Sequence, residues 1–483
     1  MATQLYFSRD TKVYIEFNNY VWEVPVLDGF SFSQGNNTSE ITLSEMESTG
    51  GVSRRGRRAF NDSLAPGEWS LSTYVRPFQS LGSGNGKADD DANMVHAIEE
   101  VLWAMMAGAN AYDTAKFDYE NTLAINATDM VQGETYEIVQ VGNTDFTVTN
   151  VATFEAGVTP ANTVGLVITR GSVAATGTGT VKRKVTGHTT AQNRVSFHAS
   201  NTSELFTLAN IYFVLGDANR TVMKLRGAVV NEASVDFEID GISTINWSGQ
   251  CSEVLDFSGS THVDNTLPVH TDTTHDGSTI AVGDVWLDAN DSHRLDVLTN
   301  VGNGSEAATP YAVNEGIIDT SNFIRNRLTT LNVDGSNTTG LLSAYDVTLT
   351  GGNVTISNNI TFITPEELGI VNIPTGHVTG TRSVSGSFTC YLSVNSAARD
   401  GSGNLSRDLF EDLRALTSTV TNSVALTFSI GGGSGNRLEM AMPTCHLEIP
   451  THSIEDVISL ETNFQSLPST IDNTNEITLT YKV

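Results

Sequence analysis

Ser53-Arg54-Arg55-Gly56-Arg57-Arg58 is the dense basic cluster of an otherwise acidic chain. Guanidinium forks at this density suit two kinds of partner, phosphates and carboxylates. No aromatic residues are interleaved with these arginines, which weakens the nucleic-acid reading. His262, His270, His275 and His293, with Asp264, Asp272 and Asp276 nearby, offer donor atoms to a metal. Their spacing fits no ligand pattern on one helix or strand, and no metal site is expected. Gly82-Ser83-Gly84-Asn85-Gly86-Lys87-Ala88 approaches a phosphate loop, but Leu81 stands at the first glycine place and Ala88 at the hydroxyl place. Gly432-Gly433-Ser434-Gly435-Asn436 fails as a nucleophile elbow at its closing glycine, and the glycine run Gly431-Gly432-Gly433-Ser434-Gly435 reads as a hairpin tip. Carboxylate pairs such as Glu99-Glu100 carry little information among 55 acidic residues. Neither an enzyme nor a bound cofactor is indicated.

The elements that would position these groups are mostly strands. Thr, Val, Ser, Ile and Phe recur in short alternating runs broken by Gly and Asn. Val235-Asp236-Phe237-Glu238-Ile239-Asp240-Gly241 alternates as a half-buried strand does, with Val235, Phe237 and Ile239 toward a core and Asp236, Glu238 and Asp240 on the other face. Two helices are predicted. Residues 92–107 carry Met94, Val95, Ile98, Val101, Leu102 and Met105 at helical spacing behind Asp89-Asp90-Asp91. Residues 406–416 have Ser406 as N-cap, Asp408 in the first turn, and Leu409, Phe410, Leu413 and Leu416 on the buried face.

A chain of 483 residues, 39% hydrophobic, can bury more than one core. Its formal net charge of -29 repels nucleic acid and anionic lipid. Cys251, Cys390 and Cys445 are too few and too far apart for a disulfide framework or zinc site, as expected of folding in a reducing cytoplasm. No signal peptide is read at the start, and no apolar run is long enough to span a membrane as a helix.

Residues 205–250 and 424–466 share one order of features, each following a helix and a strand-like run of small residues with an aromatic. Trp247 matches Phe464 and Gly241 matches Ile458 in this reading. The order predicts a duplicated β unit, with residues 1–125 and 185–257 as a first, discontinuous domain and 323–483 as a second. Residues 126–184, with strands expected at 135–141, 146–148, 165–169 and 180–184, read as a small β domain inserted in a loop. Residues 258–322 read as a polar linker or arm.

Tyr20-Val21-Trp22-Glu23-Val24-Pro25-Val26-Leu27-Asp28-Gly29-Phe30-Ser31-Phe32, the 67–78 strand, the single helix and above all the 230–249 stretch ending Ser243-Thr244-Ile245-Asn246-Trp247-Ser248-Gly249 resemble major tail tube proteins of long-tailed bacteriophages. The resemblance implies a mainly β fold: two tail-tube-type β-sandwich or half-barrel domains, each with one flanking α-helix, plus the small inserted β domain on the outside. It implies a virion protein, made in the host cytoplasm, that assembles with itself. A fused pair would form trimeric, pseudo-hexameric rings that stack into a tube and meet tail terminator, tape measure and baseplate or tip proteins. DNA would pass through an acidic channel during ejection, and closure of the barrel would remove exposed sheet edges. Arg54, Arg55, Arg57 and Arg58 would then fall in a loop that contacts the neighbouring subunit or ring. Asp236, Glu238 and Asp240 are the lumen candidates. The alternative is a carbohydrate-binding or adhesive β-rich virion or cell-surface protein, which needs a concave aromatic patch; the five tryptophans are scattered.

Overall fold

The computed structural model describes residues 7–17, 20–42, 57–79, 95–107, 125–130, 132, 135–154, 158–183, 192–197, 206, 208–216, 220–264, 274–275, 278–288, 294–300, 307–308, 311–312, 322–336, 341, 344–345, 347–368, 371–392, 406–415, 424–454, 457–468 and 475–483. Within them the chain is mainly β, with two α-helices. The principal strands of the first half are β1 (Lys12–Phe17), β2 (Tyr20–Glu23), β3 (Ser31–Ser33), β4 (Asn36–Thr42), β5 (Arg57–Leu64) and β6 (Gly67–Tyr74). After helix α1 (Glu100–Ala107) come β7 (Gln192–Ser196), β8 (Ala209–Leu215), β9 (Thr221–Glu238), β10 (Thr244–Cys251) and β11 (Glu253–Asp256). The second half holds β12 (Thr330–Asp334), β13 (Leu349–Ser357), β14 (Thr361–Ile363), β15 (Gly376–Val378), β16 (Ser383–Tyr391) and helix α2 (Ser406–Ala415). It ends with β17 (Val424–Ile430), β18 (Arg437–Leu447), β19 (Thr451–Ile454), β20 (Ile458–Ser466) and β21 (Thr478–Lys482).

The two halves repeat one set of antiparallel pairings in one chain order. In the first, β1 pairs β8, β8 pairs β9, β9 pairs β10 and β11, β10 pairs β6, β6 pairs β3, and β4 pairs β5. In the second, β12 pairs β17, β17 pairs β18, β18 pairs β20 and β21, β20 pairs β16, β16 pairs β13, and β14 pairs β15. Even the irregularity recurs: the register shifts between Ala209↔Ala228 and Ile211↔Leu225, and again between Val424↔Cys445 and Leu426↔Met442. With Cys445 at the place of Ala228, Leu447↔Phe464 falls on Val230↔Gly249. Phe464 therefore corresponds to Gly249 and not, as the sequence order alone suggests, to Trp247.

That correspondence inverts an aromatic–glycine pair. Trp69 lies opposite Gly249, and a Cβ added there would come within 2.5 Å of the indole ring. In the second half Gly386 lies opposite Phe464, and a Cβ at Gly386 would come within 2.7 Å of the phenyl ring. Each ring covers the backbone that a glycine leaves bare, so a cross-strand contact of the same shape is built from opposite strands.

Strand β9 belongs to two layers. Its first part pairs β8 and β11, and from Glu232 onward it pairs β10 on one side and β13 of the second half on the other. Gly227, at φ +66, and a register shift between Val230 and Glu232 lie between these parts. A bulge of this kind increases twist and lets one strand turn a sheet corner. A second tie between the halves is β7 with β21. One large core, from Trp22 and Trp247 to Phe428 and Tyr481, runs through both halves.

Helix α1 lies inside this core, with all eight residues buried. It starts at Glu100, later than the expected 92, because Val95–Ala97 is extended and pairs with Pro77–Gln79. A helix apolar all round has no stripe to mark its start. Asp89, Asp90, Asp91 and Met94 lie outside the described residues. Trp103 Nε1 donates to the Tyr481 hydroxyl at 2.6 Å, and that hydroxyl donates to Glu99 Oε1 at 2.8 Å. Burial pushes the fully enclosed Glu99 carboxyl up to about 7, with neighbouring Glu100 adding to the shift. Helix α2 is amphipathic, burying Leu409 and Leu413, while the Ser406 hydroxyl donates to the Tyr391 carbonyl at 2.8 Å.

Between α1 and β7, the strands Ala152–Phe154, Val167–Arg170, Thr135–Gln140, Thr180–Arg183 and Ile125–Asn126 form a separate five-stranded sheet over its own core, which includes Tyr136, Ile138, Phe146 and Ile168. The strand expected at 146–148 is a turn, because Asp145 Oδ1 accepts from the Thr147 amide at 3.0 Å and from its hydroxyl at 2.6 Å. The stretch 258–322, polar in composition, is more than a linker. Thr261–Asp264, Val285–Asp288, Arg294–Asn300 and Ala307–Ala308 form a four-stranded sheet. Its Val285, Leu287, Leu295 and Val297 pack on Tyr14, Val21 and Tyr212. Averaged composition hides these few apolar positions.

Candidate functional site

The layer that joins the halves is a sheet of eight strands in the order β3, β6, β10, β9, β13, β16, β20, β19. Its inner face carries Trp69, Leu71, Val235, Phe237, Val354, Phe388 and Phe464, all buried. Alternation places hydroxyls, amides and carboxylates on the other face. These include Ser31 and Ser33, Glu68 and Ser70, Asn246 and Ser248, Asp236 and Glu238, Asn353 and Thr355, Ser385 and Ser387, and Glu461, Asn463 and Gln465, each exposed or half-buried.

Side chains bond across the strands on this face. Ser72 Oγ donates to Asn246 Oδ1 at 2.7 Å, and Asn246 Nδ2 donates to Asp236 Oδ2 at 2.9 Å. Ser234 Oγ donates to Asp236 Oδ1 at 3.3 Å and accepts from Thr355 Oγ1 at 3.2 Å. One row thus crosses four strands and the boundary between the halves. Ser31 and Ser70 share a further contact at 2.9 Å.

None of the chain's 26 lysines and arginines lies in β3, β6, β10, β13, β16, β19, β20 or β9 from Ala228 onward. A phosphate meets hydroxyls, amides and like charge along these strands, and exposed Arg327, from outside the layer, shares a cleft with Glu238, Thr350 and Gly351 at one end of it. Such a surface stays wetted and binds a polyanion poorly.

Asp236 and Glu238 lie exposed on this face. Asp240 is exposed in the bend after β9, and Ile239, expected in the core, is 43% exposed because the strand ends at Glu238. The other face residues were missed, since their grouping depends on long-range pairing; the signal available was a set of alternating Ser/Thr/Asn strands without a cation. Arg54 and Arg55 lie outside the described residues, while Arg57 and Arg58 begin β5, with Arg58 exposed. Arg58 is level with Ile41 of β4 in the β4–β5 hairpin, which is not paired with the strands of the polar layer. The phosphate-loop-like stretch 82–88 is also outside the described residues, and Ser434 sits in the turn joining β17 and β18. His262 is buried, with Nε2 3.1 Å from Asp284 Oδ2. His270, His293, Asp272 and Asp276 lie outside the described residues. Among those described, no three metal-ligating side chains converge.

No family model matches the chain. It is 23% identical over 457 residues to the tail tube protein pb6 of Escherichia phage T5, an alignment that covers 94% of this chain and 69% of that protein. The resemblance read from the motifs thus extends along nearly the whole sequence, and this chain is related to a phage tail tube protein.

Proposed function

We propose that the chain is the structural subunit of a phage tail tube, assembling with itself into stacked rings whose bore is lined by the polar face, whose strands hold no lysine or arginine. The observation that carries the reading is this eight-stranded face in a chain related to a tail tube protein. Two fused β units per chain support three chains per pseudo-hexameric ring. DNA then passes along hydroxyls and carboxylates, among them Asp236 and Glu238, without adhering. The 125–183 sheet sits outside the bore, and the cluster of Arg54, Arg55, Arg57 and Arg58 contacts carboxylates of a neighbouring subunit or ring. The role is structural and not enzymatic, in the virion tail, with terminator, tape measure and baseplate or tip proteins as the remaining partners. Native mass measurement followed by negative-stain microscopy of the purified protein tests this: rings or tubes are expected, and a stable monomer with affinity for glycans overturns it.

A further inference from the structure

The eight-stranded layer is one four-strand motif written twice: β3, β6, β10, β9, then β13, β16, β20, β19. The motifs meet where the last strand of the first, β9, pairs with the first strand of the second, β13. This leaves β3 at one end of the layer and β19 at the other. Among the described residues neither has a strand on its outer side. An open edge with neither lysine nor proline in the strand itself is a template for another strand.

We propose that β19 of one chain pairs antiparallel with β3 of a second copy, in the register that the internal β9–β13 junction already displays. This rests on the proposed self-assembly and names the strands that carry it. Thr451–Ile454 stands at the place of 234–237, since Thr451↔Glu461 repeats Ser234↔Asn246. Ser31–Ser33 stands at the place of 353–355, since Ser31↔Ser70 repeats Asn353↔Ser387. The internal pairs Ser234↔Thr355, Val235↔Val354 and Asp236↔Asn353 then become Thr451↔Ser33, His452↔Phe32 and Ser453↔Ser31 between chains.

The chemistry of the edges agrees with this register. The internal Thr355–Ser234 hydroxyl bond has its counterpart in Thr451 and Ser33, again a threonine against a serine. Ile454, at the place of buried Phe237, is 80% exposed, and pairing sets it opposite Phe30 beside β3. Both edges are free of lysine and arginine, so no like-charge pair opposes their approach. The contact is head to tail, which closes into a ring when its rotation does.

Cysteine pairing tests the register in the full-length protein. The native Cys251, Cys390 and Cys445 are buried and burial pushes each thiol up to about 12, so they stay unreactive. Thr451→Cys and Ser33→Cys chains are mixed under assembly conditions and oxidised. Opposed Cβ atoms about 5 Å apart are within reach of a disulfide. Covalent dimers are expected in the mixture, roughly tenfold above either variant alone and above Thr451→Cys mixed with Ser39→Cys on the β4–β5 hairpin. Rings or tubes that form without this cross-link overturn the proposed seam and leave the tube reading intact. A wild-type chain that neither assembles nor cross-links in its variants overturns both.

Discussion

Glu99 is a carboxyl enclosed beneath the junction of the two halves, held by the Tyr481 hydroxyl and the Arg76 amide. Its proton affinity is higher in the folded chain than in the unfolded one, so the folded state favours the neutral form. The stability this contributes is full below the ordinary value of 4.5 and is lost as pH rises through about 7. Over that window the shift from 4.5 to about 7 corresponds to on the order of 3 kcal/mol. The melting temperature is expected to fall between pH 5 and pH 8, and Glu99→Gln to flatten that slope; an unchanged slope in the variant would assign the dependence to other groups. Glycines decide packing elsewhere. Gly249→Ala places a methyl within 2.0 Å of the Val229 carbonyl oxygen and 2.5 Å of the Trp69 ring. A loss of about 1–3 kcal/mol is expected by denaturant titration, and Gly386→Ala meets Phe464 and the Asn353 carbonyl in the same way.

The five-stranded 125–183 sheet has its own core, and strand pairing ties it to none of the principal strands among the described residues. Replacing residues 126–184 by a short Gly/Ser linker is expected to leave tube assembly intact, checked by microscopy and sedimentation. Insoluble protein after the deletion would place this sheet within a shared core. Legibility in the sequence followed locality. Helix α2 was readable because Leu409 and Leu413 bury one stripe of an otherwise polar helix. The Val235–Phe237 side of β9 was readable from alternation. The start of helix α1 was set too early because its residues are buried all round, and the sheet within 258–322 was read as a linker or arm because a few apolar positions sit in a polar stretch. The polar face was out of reach beyond Asp236 and Glu238, since it is assembled from strands up to hundreds of positions apart, as Glu68↔Gln250 illustrates. The fused halves were legible as an order of features but not in register, which only the shared bulge fixes.

Taken as a whole, the molecule builds the strands of one broad sheet without a lysine or arginine. Replacing Asp236, Glu238 and Asp240 by lysine puts positive charge on or beside that sheet, each lysine offering a phosphate contact that weakens with salt. Assembled tubes of the variant are expected to retain DNA at low ionic strength and to release it as salt is raised, while wild-type tubes retain none. Normal assembly without DNA retention would show that this face is not the bore. The mirrored aromatic–glycine pairs have a further consequence, for interchangeability: β6 and β16 hold the same place in the topology, yet they cannot be exchanged freely. Putting β6 beside β20 sets Trp69 against Phe464 across one strand gap, and putting β16 beside β10 sets Gly386 against Gly249 over a void. One product is overfilled and the other hollow, so each strand fits its own half although the two halves share one topology.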